Sequence, residues 1–230
     1  MSKTRLGLIY GFSSYTLWGL FPLYWPLLQP ATSLEMVSHR SVWSLVFCVV
    51  ALAIGHQLRS TFSLMLSPGI FWKFTLAAAF ISVNWLTYIW AVNNEQIVEA
   101  SLGYYMQPIL LVLLGILAFK EELRKIQWVA FIVATIGVVI LTLDYGRPPW
   151  ISFALAISWS SYSVVKKKIN LGSLQGLAIE TLIASVFYGT YLIWLGERGE
   201  GQFGNGVGLT LLLIGAGVVT AVPLLLFNGA

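Results

Sequence analysis

Between Lys125 and Asp144 the chain reads Ile126-Gln-Trp-Val-Ala-Phe-Ile-Val-Ala-Thr-Ile-Gly-Val-Val-Ile-Leu-Thr-Leu143, eighteen residues without a charge. A membrane-spanning helix needs ~20 such residues, so the run is of spanning length. It shows no period-two alternation of apolar and polar residues, which argues against a barrel strand. Lipid offers the backbone no hydrogen-bond partners, so a spanning segment of this kind must bond within itself, as a helix does.

Comparable runs recur at about 6–28, 34–55, 70–91, 98–119, 150–166, 174–195 and 208–228. With 126–143 they make about eight transmembrane helices and an all-α membrane protein. Composition agrees: 58% of the 230 residues are hydrophobic and 10% are charged, where a soluble domain carries about 25% charged residues. Eight spans leave short loops and tails, with no room for a soluble catalytic domain. The run at 6–28 follows Lys3 and Arg5, as a signal peptide would. It is too long for such a peptide and lacks a clean cleavage site, so it is read as the first span.

Charge placement gives the orientation. With the amino terminus in the cytoplasm, Lys3, Arg5, Arg59, Lys73, Lys120, Arg124, Lys125 and Lys166–Lys168 all fall on the cytoplasmic side, ten of the thirteen basic residues. Arg147 and Arg198 fall on the other side and Arg40 inside a span. This bias is what the positive-inside rule expects. The basic residues are scattered, and nucleic acid is not an expected partner. Cys48 is the one cysteine, which excludes disulfide frameworks and CxxC metal sites. No cofactor or metal is expected, and no ATP-binding GxxxxGK[ST] motif is present.

The chain also repeats itself. Phe12-Ser13-Ser14-Tyr15-Thr16 recurs as Trp159-Ser160-Ser161-Tyr162-Ser163, an offset of 147 residues, and Leu34-Glu35 recurs as Ile179-Glu180, an offset of 145. A nearly constant offset favours a duplicated unit of five helices. Five is odd, so the second copy enters from the opposite face, the inverted-repeat plan of many secondary transporters. The expected division is 1–145 for the first five-helix repeat and 146–230 for a second, incomplete repeat of three helices. A five-plus-five plan has ten helices, and an end at Ala230 would leave two of them out.

Three stretches carry a family resemblance: Glu35-Met-Val-Ser-His39-Arg40-Ser-Val-Trp43-Ser44, Asn84-Trp-Leu-Thr-Tyr-Ile-Trp-Ala-Val-Asn93, and Glu99-Ala-Ser-Leu-Gly-Tyr104-Tyr-Met-Gln107-Pro108, with Glu121-Glu122 beyond it. They resemble the RarD branch of the EamA family, within the drug/metabolite transporter superfamily. The resemblance implies a ten-helix, five-plus-five permease that works without ATP in a bacterial plasma (inner) membrane. Chloramphenicol sensitivity is linked to that branch, and the implied cargo is an amino acid, another small metabolite or an amphipathic drug.

Ionisable and polar residues within spans mark candidate sites, because burying them in lipid is costly. Glu35 and His39 lie four apart and share a helix face, with Arg40 next to them. They could bind a polar solute or take up a coupling proton, and they could equally lock neighbouring helices together. Glu180 is the repeat counterpart of Glu35. Asn84 must find a hydrogen-bond partner at depth, as a substrate ligand or a helix tie. Tyr104 and Gln107 precede Pro108, which with Pro223 is a candidate helix break framing a site. Glu99 is expected to cap its own helix, Trp25 to sit in an interfacial belt, and the glycine-rich stretch from Gly196 to Gly208 to form a flexible outer loop. No catalytic constellation is found. Transport is the leading reading; a non-transporting, truncated membrane protein or helical partner subunit is the alternative.

Overall fold

A computed structural model describes residues 3–120, 122–144, 146, 148–169 and 171–229. Glu121 of the third stretch, Arg147 and Ala230 lie outside these residues. Among the described residues every regular element is a helix: α1 (Lys3–Gly19), α2 (Phe21–Tyr24), α3 (Ser33–Ile54), α4 (Leu58–Ser63), α5 (Pro68–Asn93), α6 (Ile97–Phe119), α7 (Lys125–Asp144), α8 (Trp150–Lys167), α9 (Ser173–Glu197) and α10 (Val207–Gly229). The chain is all-α, as its apolar runs predict.

Six of these helices, α3, α5, α6, α7, α9 and α10, are long and apolar enough to cross a membrane. The two remaining expected spans are shorter or more polar. The run at 6–28 does not form one helix. It stops at Gly19 and continues as α2 and a 3-10 turn over Trp25–Leu28, because Pro22 and Pro26 each lack the amide that a continuing helix would bond. Trp25, expected in an interfacial belt, is fully buried there. In α8 five serines and the terminal Lys166 and Lys167 dilute an otherwise apolar helix. The opposite extreme is α7, which buries none of its residues. Ile126, Val133, Ile140 and Leu143 are all more than half exposed, a surface that only a nonpolar solvent accommodates.

The helices fall into two compact units, residues 1–78 with 171–230, and residues 79–170. In the first unit α3 packs against both α9 and α10, and α1 against α10. The α3–α9 pair is antiparallel, since it is tied at both ends. Gln175 Nε2 donates to Gln57 Oε1 at 3.3 Å beside one end, and the amide of Gln202 donates to Glu35 Oε1 at 2.6 Å beside the other. Where α3 meets α10 there is no room for a side chain at Gly217. A Cβ there would collide with the Trp43 carbonyl carbon and stand 2.6 Å from the Ser44 nitrogen. The closeness lets Ser44 Oγ donate to the Gly217 carbonyl at 3.2 Å. Tyr24 OH donates to the Leu212 carbonyl of α10 at 2.5 Å, and Phe227 stands beside the rings of Tyr15 and Trp18 on α1.

The second unit is built the same way around α6 and α8. At Gly103 a Cβ would stand 3.0 Å from Cα and O of Ser152, and this approach brings Ser152 Oγ within 2.5 Å of the Glu99 carbonyl. Leu102, Met106 and Ala156 form the buried core, flanked by Leu110, Val138 and Phe153. Asn84 spends its amide hydrogens on the Leu155 carbonyl at 3.0 Å and Ser158 Oγ at 3.1 Å, tying α5 to α8.

Two predictions test these seams in detergent melts of the purified chain. Gly217→Ala should destabilise most and Gly103→Ala less, overpacking of this kind costing about 1–3 kcal/mol. Gly137→Ala, with nothing near its Cβ, should be neutral or stabilising by about 0.5–1 kcal/mol, the ordinary helical preference for alanine. Asn84→Ala should cost about 0.6–1.7 kcal/mol, the range measured for interhelical hydrogen bonds in membranes.

Candidate functional site

The amino-terminal end of α3 begins with a helix start encoded in four residues, Thr32-Ser33-Leu34-Glu35. Thr32 Oγ1 accepts from the Glu35 amide at 3.2 Å, the first half of a capping box. The Glu35 carboxylate in turn faces the backbone amides of Thr32, Gln202 and Phe203, with Gln202 at 2.6 Å. One turn along, His39 Nε2 lies 4.0 Å from Glu35 Oε1. Both side chains are buried, and neither ring nitrogen of His39 has a hydrogen-bond partner among the described residues.

Phe203 covers this pair. Its ring stacks on His39 with centroids 4.9 Å apart and planes 20° apart, and on Trp43, one turn further, at 6.1 Å and 27°. Residues 35, 39 and 43 form one row at helical spacing, so a single aromatic side chain roofs the row. The stretch Gly196 to Gly208 is therefore not the flexible loop that its glycines suggest. It is folded onto α3 and braced, Gly204 N donating to Thr210 Oγ1 of α10 and Asn205 Nδ2 to the Gly201 carbonyl, both at 3.0 Å.

Arg40 leaves the row. It is buried with its guanidinium 5.0 Å from the Trp25 ring centre and 5.6 Å from that of Phe21, an arrangement in which aromatic faces stabilise a cation. Glu180 is also buried, yet it does not join Glu35. It stands seventeen residues before the carboxyl end of α9, which at 1.5 Å per residue is about 25 Å along an antiparallel pair. Glu35 and Glu180 thus lie towards opposite ends of α3–α9.

The other candidates lie in the second unit. Tyr104 is part-exposed and meets Tyr88 edge to face at 5.8 Å. Gln107 is buried, and its Nε2 has no hydrogen-bond partner among the described residues. Pro108 and Pro223 each sit inside a continuous helix, α6 and α10. Neither breaks its helix: a proline removes one amide, and the turns on either side retain theirs. Glu99 caps a helix other than its own, its Oε1 accepting from the Ile151 amide at 2.9 Å in the first turn of α8, where a carboxylate meets the positive helix end. An apolar recess of about 250 Å³ opens beside it, lined by Val98, Leu102, Tyr105 and Leu141, with Asp144 at its edge. Among the described residues no cluster of His, Cys, Asp and Glu could hold a metal.

The role of Gln202 and Phe203 was not legible in the sequence. Nothing in Gly201-Gln202-Phe203-Gly204 says that it folds back over residues 167 positions earlier; the signal available was a lone aromatic residue inside a glycine-rich turn.

The comparisons with known proteins agree with the fold. The model of the EamA-like transporter family matches residues 5–143, more than half of the chain. Protein RarD of Streptomyces exfoliatus is 45% identical over 230 residues, covering all of this chain and 73% of that relative. The uncharacterized transporter YojE of Bacillus subtilis is 43% identical, covering 98% of this chain and 76% of its own length. Protein RarD of Escherichia coli is 37% identical, covering 99% and 77%. No solved structure matches. A family match over more than half of the chain, joined to full-length likeness to RarD proteins and to an all-helical, membrane-spanning architecture, places this chain in the EamA-like transporter family, as a RarD-type multi-pass membrane protein.

Proposed function

We propose that the chain serves a secondary permease of the bacterial inner membrane, moving a small metabolite or an amphipathic drug without ATP, and that Glu35 and His39 belong to its solute-binding or proton-coupling machinery. The observation that carries this is the buried Glu35–His39 pair at the start of α3, within a family of transporters. A buried ionisable pair in a membrane helix is costly and is kept where it meets solute or ion. His39 suits a proton role, since imidazole changes charge near neutral pH. One relative, from Pseudomonas aeruginosa, bears the name chloramphenicol-sensitive protein RarD and is 31% identical; it makes chloramphenicol a sensible test compound beside amino acids.

The mechanism we propose is alternating access between two inverted repeats, residues 1–145 and 146–230, with the amino terminus in the cytoplasm. Two observations support it: the recurring sequence pairs at offsets of 147 and 145 residues, and the antiparallel α3–α9 pair with Glu35 and Glu180 towards opposite ends. An inverted repeat relates its second and seventh helices in that manner. In this scheme Arg40, Asn84, Tyr104, Gln107 and Glu180 are the next residues to examine for contact with solute, Asn84 serving first as a helix tie.

The test is uptake and efflux of labelled amino acids and chloramphenicol in cells expressing the chain, with membrane abundance measured in parallel. Glu35→Ala and His39→Ala should each lower flux about tenfold or more at unchanged abundance, the loss expected when a direct polar contact to solute goes. A protonophore should abolish accumulation against a gradient. Variants that lose abundance in step with flux, or a wild-type chain with no flux for any compound, would instead favour a non-transporting helical partner.

A further inference from the structure

The turn between α9 and α10 has the features of a cover. Its middle is fixed at two points, the Gln202 amide on Glu35 and the Phe203 ring on His39 and Trp43. Phe203 is still 44% exposed, so the ring rests on the row from outside and is not locked within a core. On either side stand Gly199 and Gly206, with φ of +67° and +155°, a region that residues with a Cβ seldom occupy. No side chain surrounds either glycine. One brace, Asn205 to Gly201, lies within the turn, and a second, from the Gly204 amide to Thr210 Oγ1, ties it to the first turn of α10, so it can move as one piece once that second bond is released. Beneath it lie the two His39 nitrogens, buried and without hydrogen bonds. Buried polar atoms left unsatisfied are costly, and lifting the turn would relieve them by admitting water or solute.

We propose that Arg198–Gly206 is a hinged cover for the Glu35–His39 row, latched by the Glu35 carboxylate on the Gln202 amide and by Thr210 Oγ1 on the Gly204 amide, and closed by the Phe203 ring, with Gly199 and Gly206 as its hinges. Glu35 then has a second task beside its proposed contact with solute: it holds the cover shut through charge-assisted hydrogen bonding, and solute reaches the row when that bond is released. The inference rests on reading Glu35 and His39 as transport machinery, but its test requires no cargo.

The test measures thiol reactivity in the purified full chain in lipid nanodiscs, where a maleimide reaches both faces. In a Cys48→Ala background, a cysteine placed by His39→Cys should react about tenfold more slowly than one placed by Val207→Cys at an exposed position. Adding Phe203→Ala should raise the rate at position 39 about tenfold, whereas Phe203→Tyr, which keeps the ring, should leave it slow. Glu35→Ala should also raise it; if that variant does not accumulate, the Phe203 pair decides alone, since Phe203 lies in an exposed turn. Rapid reaction at position 39 with the turn intact, or no acceleration by Phe203→Ala, would overturn the cover. A chain that shows this protection but carries no solute would sink the transport reading and leave the cover standing. Flux with an unprotected position 39 would do the reverse.

Discussion

Helices in lipid cannot be driven together by the hydrophobic effect, because lipid tails solvate an apolar face as well as another helix does. Four contacts among the described residues answer that constraint in one of two ways. Either a glycine removes the side chain so that backbones touch, or a polar group spans the gap. Gly217 against Trp43 and Ser44, and Gly103 against Ser152, are of the first kind. Asn84 to Leu155 and Ser158, and Glu99 to Ile151, are of the second. The two work together, since Ser44 and Ser152 reach their carbonyl partners only because the facing glycine lets the helices close.

That economy separates structural from functional polarity. Asn84 and Glu99 are satisfied by named partners on a neighbouring helix, which identifies them as ties. Arg40 is packed over Phe21 and Trp25. His39 is different: it is buried, and nothing described bonds to its nitrogens. Glu35 is different in another way, because it bonds not to a neighbouring helix but to a turn that leaves one. A helix tie needs neither property. Both are expected where a site opens and closes, and together, on one helix face, they set this pair apart from Asn84 and Glu99.

The exposed surface fits the same account. α7 presents apolar side chains all round, which in water would be an aggregation hazard and in lipid is merely solvated. α1 and α8, short of the apolarity of their neighbours, carry the recurring pattern of two serines and a tyrosine, Ser13-Ser14-Tyr15 and Ser160-Ser161-Tyr162. The same hydroxyls that make α8 less apolar place Ser152 and Ser158 at its contacts with α6 and α5.

The amino-acid sequence alone determined that this chain is helical and membrane-spanning, since uncharged runs of spanning length leave the backbone no other way to satisfy itself. It also made the family legible, through stretches at Glu35, Asn84 and Glu99, and it marked Glu35 and His39 as a pair, because residues four apart on a helix must share a face. What it could not encode locally were contacts between residues distant in the chain. The run at 6–28 reads as one span, and it was the structure that showed the break at Gly19 and buried Trp25 beneath Arg40. Glu99 looked like a cap for its own helix until α8 arrived to use it. The fold-back of Gln202 and Phe203 over residues 35 to 43 was decided by tertiary structure, for a physical reason: a carboxylate chooses among amides by proximity, and the antiparallel packing of α9 on α3 is what brings that turn within 2.6 Å.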